Sequence, residues 1–406
     1  MNLPRRSRHE HFISINPKVV RNINRSLILN IIWEQQPISR ARIAEIAKLN
    51  KSTVSSIVAD LLGEELVVQE AERSSSVGRT PINLRMKTGK HLIATAYFDS
   101  GGTQLAVVDI DGTVKHSMEM KPNGRNAEEY VTHCMDELCA LRKRFHFPRY
   151  RGIGVAVAGI VDSLHSRVVF APNLGWEDVD MLKIIRERCA DVPVIAVEND
   201  AKASALAELW FGKHDLHLFN FVFLSVGRGI GTGLVVDKRV LDGESHAAGE
   251  FGHMTIIEDG EPCSCGNLGC WEAYASDRAT VRRYARSKAF QLDESSALSM
   301  GSVIAAAGAG DDAARNALLK TGHYLGLGIA DIVLAVDPEA IVVGGAIVKA
   351  WDLIYPEIIS TVTRQAFFGK KKNTVIVPSA LHSPAPVLGA AALSIRKIFT
   401  EFRVAT

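Results

Sequence analysis

The chain has 406 residues, 47% hydrophobic and 23% charged, which excludes wholesale disorder and predicts two or three domains. Its formal charge of +2 argues against a strongly basic nucleic-acid binder only as an average. Residues 1–90 hold 15 Lys/Arg against 8 Asp/Glu, and the remaining 316 hold 32 against 37, so the positive excess marks one polyanion-binding end.

Six cysteines are too few for a disulfide scaffold of this size, and three of them crowd between Cys263 and Cys270. The basic N-terminus has no apolar stretch behind it, and no run of about 18 apolar residues follows anywhere. The expectation is a cytoplasmic protein with no membrane partner.

Leu27, Ile28, Ile31 and Ile32 recur at helical spacing in an opening helix that ends near Gln36-Pro37. Ser39 suits the N-cap of a second helix, Arg40 to Leu49, and Asn50 that of a third. In the third, Val54, Ile57, Val58, Leu61 and Leu62 form a single apolar stripe. That leaves Lys51, Ser52, Thr53, Ser55 and Ser56 on its N-terminal, outward part, small enough to approach base edges or phosphates. A strand at Leu66–Val68, a polar tip from Arg73 to Pro81 and a returning strand from Ile82 to Met86 complete the pattern of a winged helix-turn-helix. Arg79, beside Gly78, would reach phosphate or a minor groove. A three-helix bundle used for protein contacts is the bland alternative; the charge skew and the basic tip favour DNA.

The strands His91–Phe98 and Gln104–Asp109 enclose Asp99-Ser100-Gly101-Gly102-Thr103. Its backbone N–H groups and the Thr103 hydroxyl could meet a phosphate, and Asp99 could hold Mg²⁺ through water; a hairpin turn explains the same residues equally well. The strand Val194–Val197 delivers Asn199 and Asp200 to the start of an alanine-rich helix, Ala201 to Phe211. Asp200 there could accept a proton from a sugar hydroxyl, or the pair could simply cap the helix. After the strand Phe221–Val226, glycine occupies every second position at Gly227, Gly229, Gly231 and Gly233. Close backbone approach to a ligand explains that spacing better than packing does. A further pair, Gly344-Gly345, follows the strand Ala340–Val343. Strands with glycine turns separated by helices make an α/β protein with its ligand at strand ends.

The most specific constellation is His253 with Cys263, Cys265 and Cys270. Three thiolates and one imidazole suit tetrahedral Zn²⁺, and four protein ligands leave no open position, so the metal's role is structural.

Asp99–Thr103, Glu198-Asn199-Asp200, Gly249-Glu250-Phe251-Gly252-His253 and the segment Cys263–Glu272, in that order, resemble the ROK family of repressors, open reading frames and kinases. With the N-terminal reader, the chain is similar to that family's repressor branch. The resemblance implies a two-lobed, actin-like sugar-kinase fold: a winged helix-turn-helix over 1–88, one lobe over 89–200, and a second over 201–385. A C-terminal helix near 386–406 would return to the first lobe. It implies sugar contacts from Asn173, Asn199, Asp200, Glu250, His253 and Glu272, with Asp200 at the kinases' catalytic-base position. Where nucleotide binding is retained, it also implies phosphate contacts at Asp99, Gly101, Gly102, Thr103, Gly227, Gly229, Gly231, Gly344 and Gly345. Gln104 and Arg228 depart from the residues that kinases often carry there. A leading function and a competing one follow, in that order. One is a sugar-responsive repressor that binds operator DNA as a homodimer or tetramer; the other is an ATP- and Mg²⁺-dependent sugar kinase. A protein regulator is conceivable, but no residue identifies one.

Overall fold

The computed structural model describes residues 16–71, 82–121, 126–146, 150–212, 218–290, 298–365 and 374–400. They form two compact units: the described residues up to His91 joined by those from Arg396 to Thr400, and the described residues of Leu92–Ile395.

In the first unit α1 (Pro17–Gln35), β1 (Ile38–Ser39), α2 (Arg40–Ala47), α3 (Lys51–Gly63), β2 (Val67–Ala71) and β3 (Ile82–Met86) follow one another. Each helix is capped by its own sequence: Asn16 accepts from the Val19 amide, Ser39 from Arg42 and Asn50 from Thr53. Ile28, Leu29 and Ile32 of α1, Ile43 of α2 and Val54, Ile57 and Leu61 of α3 are all essentially fully buried, and the three helices pack on one another. The face of α1 is turned slightly from the expected one, since Leu27 is 41% exposed and Leu29 takes its place in the core. β3 pairs antiparallel with both β1 and β2. The two-residue β1 was not anticipated, being too short to show periodicity. Phe399 packs edge-on to Trp33 at 5.8 Å.

The second unit holds two five-stranded sheets of the same plan. In the first, β4 (Leu92–Asp99), β5 (Gly102–Asp109) and β6 (Val114–Met120) form an antiparallel meander. After α4 (Ala127–Arg144), β7 (Tyr150–Val157) pairs parallel to β4. A small sheet of β8 (Ile160–Asp162), β9 (Arg167–Ala171) and β10 (Trp176–Asp180) and then α5 (Met181–Arg188) precede β11 (Val194–Asn199), which lies parallel to β7. After α6 (Asp200–Phe211), β12 (Phe221–Val226), β13 (Ile230–Val236) and β14 (Arg239–Val240) repeat the meander. The helices α7 (Glu272–Ala275), α8 (Asp277–Ser287), α9 (Met300–Gly308) and α10 (Asp312–Val336) intervene. Then come β15 (Ala340–Gly345), parallel to β12, α11 (Trp351–Gln365), β16 (Val375–Pro378), parallel to β15, and α12 (Ala385–Thr400).

Strand alternation assigns the two faces of each sheet. Ala94, Ala96, Phe98, Val155 and Val197 turn toward α4 and α5. Ala156 and Ala196 turn to the opposite face, against Ala203 and Leu206 of α6 and Ala390 of α12. In the second sheet Val222, Leu224 and Val343 face α9–α11, while Phe221, Phe223 and Val342 face Ala205 of α6. Helix α6 is therefore packed by both sheets, which is why it is buried nearly all round, with Ala201, Ala203, Ala205 and Ala207 making the close contacts and Lys202, Ser204 and Glu208 buried beside them. Among the described residues α10 is long and apolar enough to cross a membrane, yet half of that stretch is buried. Gly326 meets α11 there, and Gly328 meets the Trp271 ring.

The glycines of β13 follow from this arrangement. Gly231 and Gly233 share the strand face toward α6. A Cβ on Gly233 would lie 2.6 Å from the Ala201 carbonyl oxygen, and one on Gly231 would lie 2.8 Å from the Ala201 methyl. For these two the close approach is to a helix, and the period of two is the pleat of the strand. We predict that Gly233→Ala costs about 1–3 kcal/mol in a denaturant melt, as overpacking does. Gly308→Ala, where a Cβ meets nothing within 4 Å, should be neutral or slightly stabilising. Equal effects at the two positions would contradict the packing account.

Candidate functional site

The strand ends of the two sheets open into a cavity of about 400 Å³ in the second unit. From the first sheet β4 supplies Tyr97 and Asp99, β7 leads to Gly159, and the junction of β11 with α6 supplies Asn199 and Asp200. The turn Pro172–Leu174 adds Asn173. From the second unit's other sheet come Gly227, Gly229 and Gly231, with Glu250, His253 and Glu272 beyond it. All six residues expected to touch a sugar thus line one cavity.

Asn199 is a helix cap as well as a wall residue. Its Oδ1 accepts from the Ala201 and Lys202 amides, and its Nδ2 donates to the Gly159 carbonyl at 2.9 Å. The two readings of Asn199 are compatible, because capping fixes the side chain that faces the cavity. Asp200 is half-buried in the cavity wall, and the desolvation there, followed by the nearby charge of Asp99, pushes its carboxyl up to about 7. The Ala201 amide opposes this by donating to Oδ1 at 3.0 Å. Tyr97 donates to Asp200 Oδ2 at 3.5 Å, and burial beside that carboxylate raises the phenol well above its ordinary value.

Two residues further along α6, Lys202 is buried and fully used. Its Nζ donates to Asp242 Oδ1 at 2.6 Å and to the carbonyls of Asp242 and His246 at 3.1 and 2.9 Å. His246 Nδ1 lies 2.6 Å from Asp242 Oδ2. This network secures the loop that runs on to Gly249 and Glu250.

Glu272 starts α7 and accepts the Ile230 amide at 3.0 Å on Oε2. Its Oε1 faces Ser264 and Cys263 at 3.3 and 3.4 Å. His253 stands between two groups, with Nδ1 3.6 Å from Cys263 Sγ and Nε2 3.8 Å from Glu250 Oε2. Cys265 and Cys270 sulfurs are 3.7 Å apart, and all four donor atoms lie within 4.8 Å of one another. A tetrahedron with metal–sulfur bonds of about 2.3 Å has edges of about 3.7 Å, so this group could hold a metal ion after small adjustments. Gly266 and Gly269, at φ 94° and 74°, make the reversals that bring the ligands together.

The expected phosphate-loop residues divide. Asp99, Gly227, Gly229 and Gly231 line the cavity; Gly101, Gly102, Thr103, Gly344 and Gly345 do not. Thr103 is buried and its hydroxyl accepts from Tyr130 at 2.9 Å, so it points into the core and not toward a phosphate. Gly344 makes room for the Phe223 ring and Gly345 for the Val226 carbonyl, which explains that pair by packing. Arg228 lies over Gly101, its Nη1 3.3 Å from where a Cβ would stand. Tyr97 and Arg278 also line the cavity and were missed. The alternation of β4 puts Tyr97 opposite Phe98 and could have revealed it; Arg278 carries no local signal.

In the first unit Lys51, Ser52, Ser55 and Ser56 are exposed at the start of α3, and Thr53 is half-buried. Ser52 donates to Asn50 at 2.8 Å, and Ser56 accepts from Arg21 of α1 at 3.2 Å. Arg79 lies outside the described residues.

Residues 96–397 match the sequence profile of the ROK family. A xylose repressor of Bacillus spizizenii is 34% identical over 382 residues, spanning 93% of this chain and 96% of its own. A crystal structure of a ROK family transcriptional regulator, a homologue of the E. coli MLC protein, matches with TM-score 0.79. It is 25% identical and covers 94% of this chain and 98% of its own. A ROK family glucokinase from Streptomyces griseus, in complex with glucose and AMPPNP, matches with TM-score 0.65 and 28% identity, over 74% of this chain and 98% of its own. With the family's profile spanning both five-stranded sheets, and relatives matching nearly end to end, the chain belongs to the ROK family.

Proposed function

We propose that the chain is a sugar-responsive transcriptional repressor whose N-terminal unit is a winged helix-turn-helix. The observation that carries this reading is the extent of the repressor likeness. It runs over 93% of the chain, and so extends into the first 90 residues, while the glucokinase likeness leaves about a quarter of the chain unmatched. On this reading α3 enters the major groove with Lys51, Ser52, Thr53, Ser55 and Ser56 forward, and Arg79 reaches the backbone or minor groove. A homodimer would set two such helices on a palindromic operator. A monosaccharide, with xylose the first to test, would occupy the cavity. Its hydroxyls would donate to Asp200, Glu250 and Glu272 and meet Asn173, Asn199 and His253. Release of DNA would follow from tighter sugar binding by one arrangement of the dimer than by the other.

His253, Cys263, Cys265 and Cys270 would hold Zn²⁺. The ion would supply a cross-link in place of a hydrophobic core for the segment 253–272. His253 would then offer the zinc one ring nitrogen and keep the other toward Glu250 and the sugar.

A second reading, an ATP-dependent sugar kinase, draws on Asp200. A desolvated carboxyl near pKa 7 in the cavity wall is poised to take a hydroxyl proton. Against it stand the burial of Thr103, the packing role of Gly344 and Gly345 and the position of Arg228 over Gly101. A coupled ADP-release assay over a panel of monosaccharides should show no turnover above background. Sugar-dependent turnover would establish the kinase instead.

The two functions of the repressor should separate by mutation. Lys51→Ala should weaken operator binding by about tenfold or more, as loss of one such contact does, with sugar binding intact. Asp200→Asn should bind operator normally and ignore sugar; gel shifts on both variants, with and without sugar, decide it. The same substitution has a pH signature. Between about pH 4 and 7 the native Asp200 keeps a proton that the unfolded chain releases, so wild-type stability falls as pH rises through that window. Asp200→Asn lacks this loss, and its advantage in melting temperature should be absent at pH 4 and full at pH 8. An advantage independent of pH would contradict the burial of the charge.

Metal analysis should find about one zinc per chain, and both Cys263→Ser and a strong chelator should lower the melting temperature. A stable, metal-free preparation would overturn the zinc assignment.

A further inference from the structure

Two thiols outside the cavity and outside the His/Cys cluster meet on the outer layer of the first sheet. Cys139 of α4 and Cys189, the residue after α5, have sulfurs 3.3 Å apart, and both are free. Their closeness is built by packing. Leu138 and Leu141 bury the face of α4 around Cys139, and Ile184 and Ile185 do the same for α5. The Cys189 backbone is held on both sides: its amide donates to Ile185 at 2.8 Å, and its carbonyl accepts from Val192 at 3.1 Å.

The two sulfurs differ in environment. Cys139 is half-buried and Cys189 is buried. Arg142, one turn further along α4, pairs with Asp191 at 2.7 Å and lies near Cys139, with Asp136 and Asp191 the opposing negative charges. The Cys189 thiol, and after it the Arg142 charge, draw Cys139 down to about 7 against the effect of burial. The contact with the Cys139 sulfur, together with burial, pushes Cys189 up. An accessible sulfur that ionises readily, beside a protonated buried one, is the arrangement of an attacking and a resolving thiol.

We propose that Cys139 and Cys189 form a reversible dithiol–disulfide modification site whose oxidant is hydrogen peroxide or a small organic hydroperoxide. The Cys139 thiolate attacks the peroxide oxygen and the O–O bond breaks. The departing oxygen takes a proton and leaves as water or an alcohol, and Cys139 becomes a sulfenic acid. The Cys189 sulfur then attacks the Cys139 sulfur, the S–O bond breaks, and hydroxide leaves as water with the Cys189 proton. Two thiols lose two electrons in all, and the peroxide gains them. The sulfurs need to approach from 3.3 Å to about 2.0 Å, a small shift for two side chains. The bond closes a loop from 139 to 189 that contains β7–β10 and α5, and with them Gly159 and Asn173 of the cavity wall. In a reducing compartment a bond of this kind is transient, which suits a sensor and not a structural staple.

The test treats the full-length protein with hydrogen peroxide, alkylates the remaining thiols and maps the peptides by mass spectrometry. The expected product is a peptide pair joined through Cys139 and Cys189 and separated again by dithiothreitol. Cys189→Ser should stop at a Cys139 sulfenic acid that dimedone captures, and Cys139→Ser should leave Cys189 unoxidised. The oxidised wild type should also melt several degrees higher than the reduced protein, a shift lost in Cys139→Ser. Oxidation confined to Cys263, Cys265 and Cys270, with Cys139 and Cys189 both alkylated, would overturn the proposal. So would a Cys139 sulfinic acid beside a free Cys189.

Discussion

The second unit depends on one close approach, that of α6 to the glycine face of β13. Gly231 and Gly233 let the helix backbone sit against the strand, where any Cβ would fall within 3 Å of Ala201 or Ala205. The alanines on the helix's other side allow the first sheet and α12 the same proximity, through Ala156, Ala196 and Ala390. A helix fixed between two sheets has little freedom of position, and its N-terminus carries Asn199 and Asp200. The packing of small residues therefore sets the geometry of the polar site. Asp200 owes its raised pKa to the same burial, so the constraint that orders the helix also sets its chemistry.

The rest of the cavity is tied to that helix by polar links. Lys202 holds the loop leading to Glu250 through Asp242 and the His246 carbonyl, and a buried ammonium with three acceptors is expensive to disrupt. Glu272 fixes the start of β13 by accepting the Ile230 amide, and its other oxygen reaches the thiol cluster. His253 touches both the cluster and Glu250. A ligand in the cavity thus meets groups whose supports run into both sheets, as a sensor requires if binding is to favour one arrangement over another.

Much of this was legible in the residues, and the failures have physical reasons. Ser39 and Asn50 act as caps because capping is local chemistry, and the stripe from Val54 to Leu61 is buried as its spacing implies. The His253–Cys270 group converges because ligand spacing and glycine turns are also local. Alternating glycines looked like a ligand loop because a sequence does not reveal which backbone passes a strand; for Gly231 and Gly233 it is α6. Thr103 and Gly344-Gly345 meet packing partners for the same reason: Tyr130, Phe223 and Val226, which they contact, are distant in sequence or across the sheet. The Cys139–Cys189 pair, 50 residues apart, left no trace until α4 packed on α5.

The central claim is that one chain couples a DNA-reading unit to a sugar site organised by Asp200. It is tested most directly by titrating monosaccharides, xylose first, into a complex of the wild-type protein with fluorescent operator DNA and following anisotropy. The account predicts a saturable loss of operator affinity with one sugar or a small set of them. Tight sugar binding, established separately by calorimetry, with no change in operator affinity would contradict it.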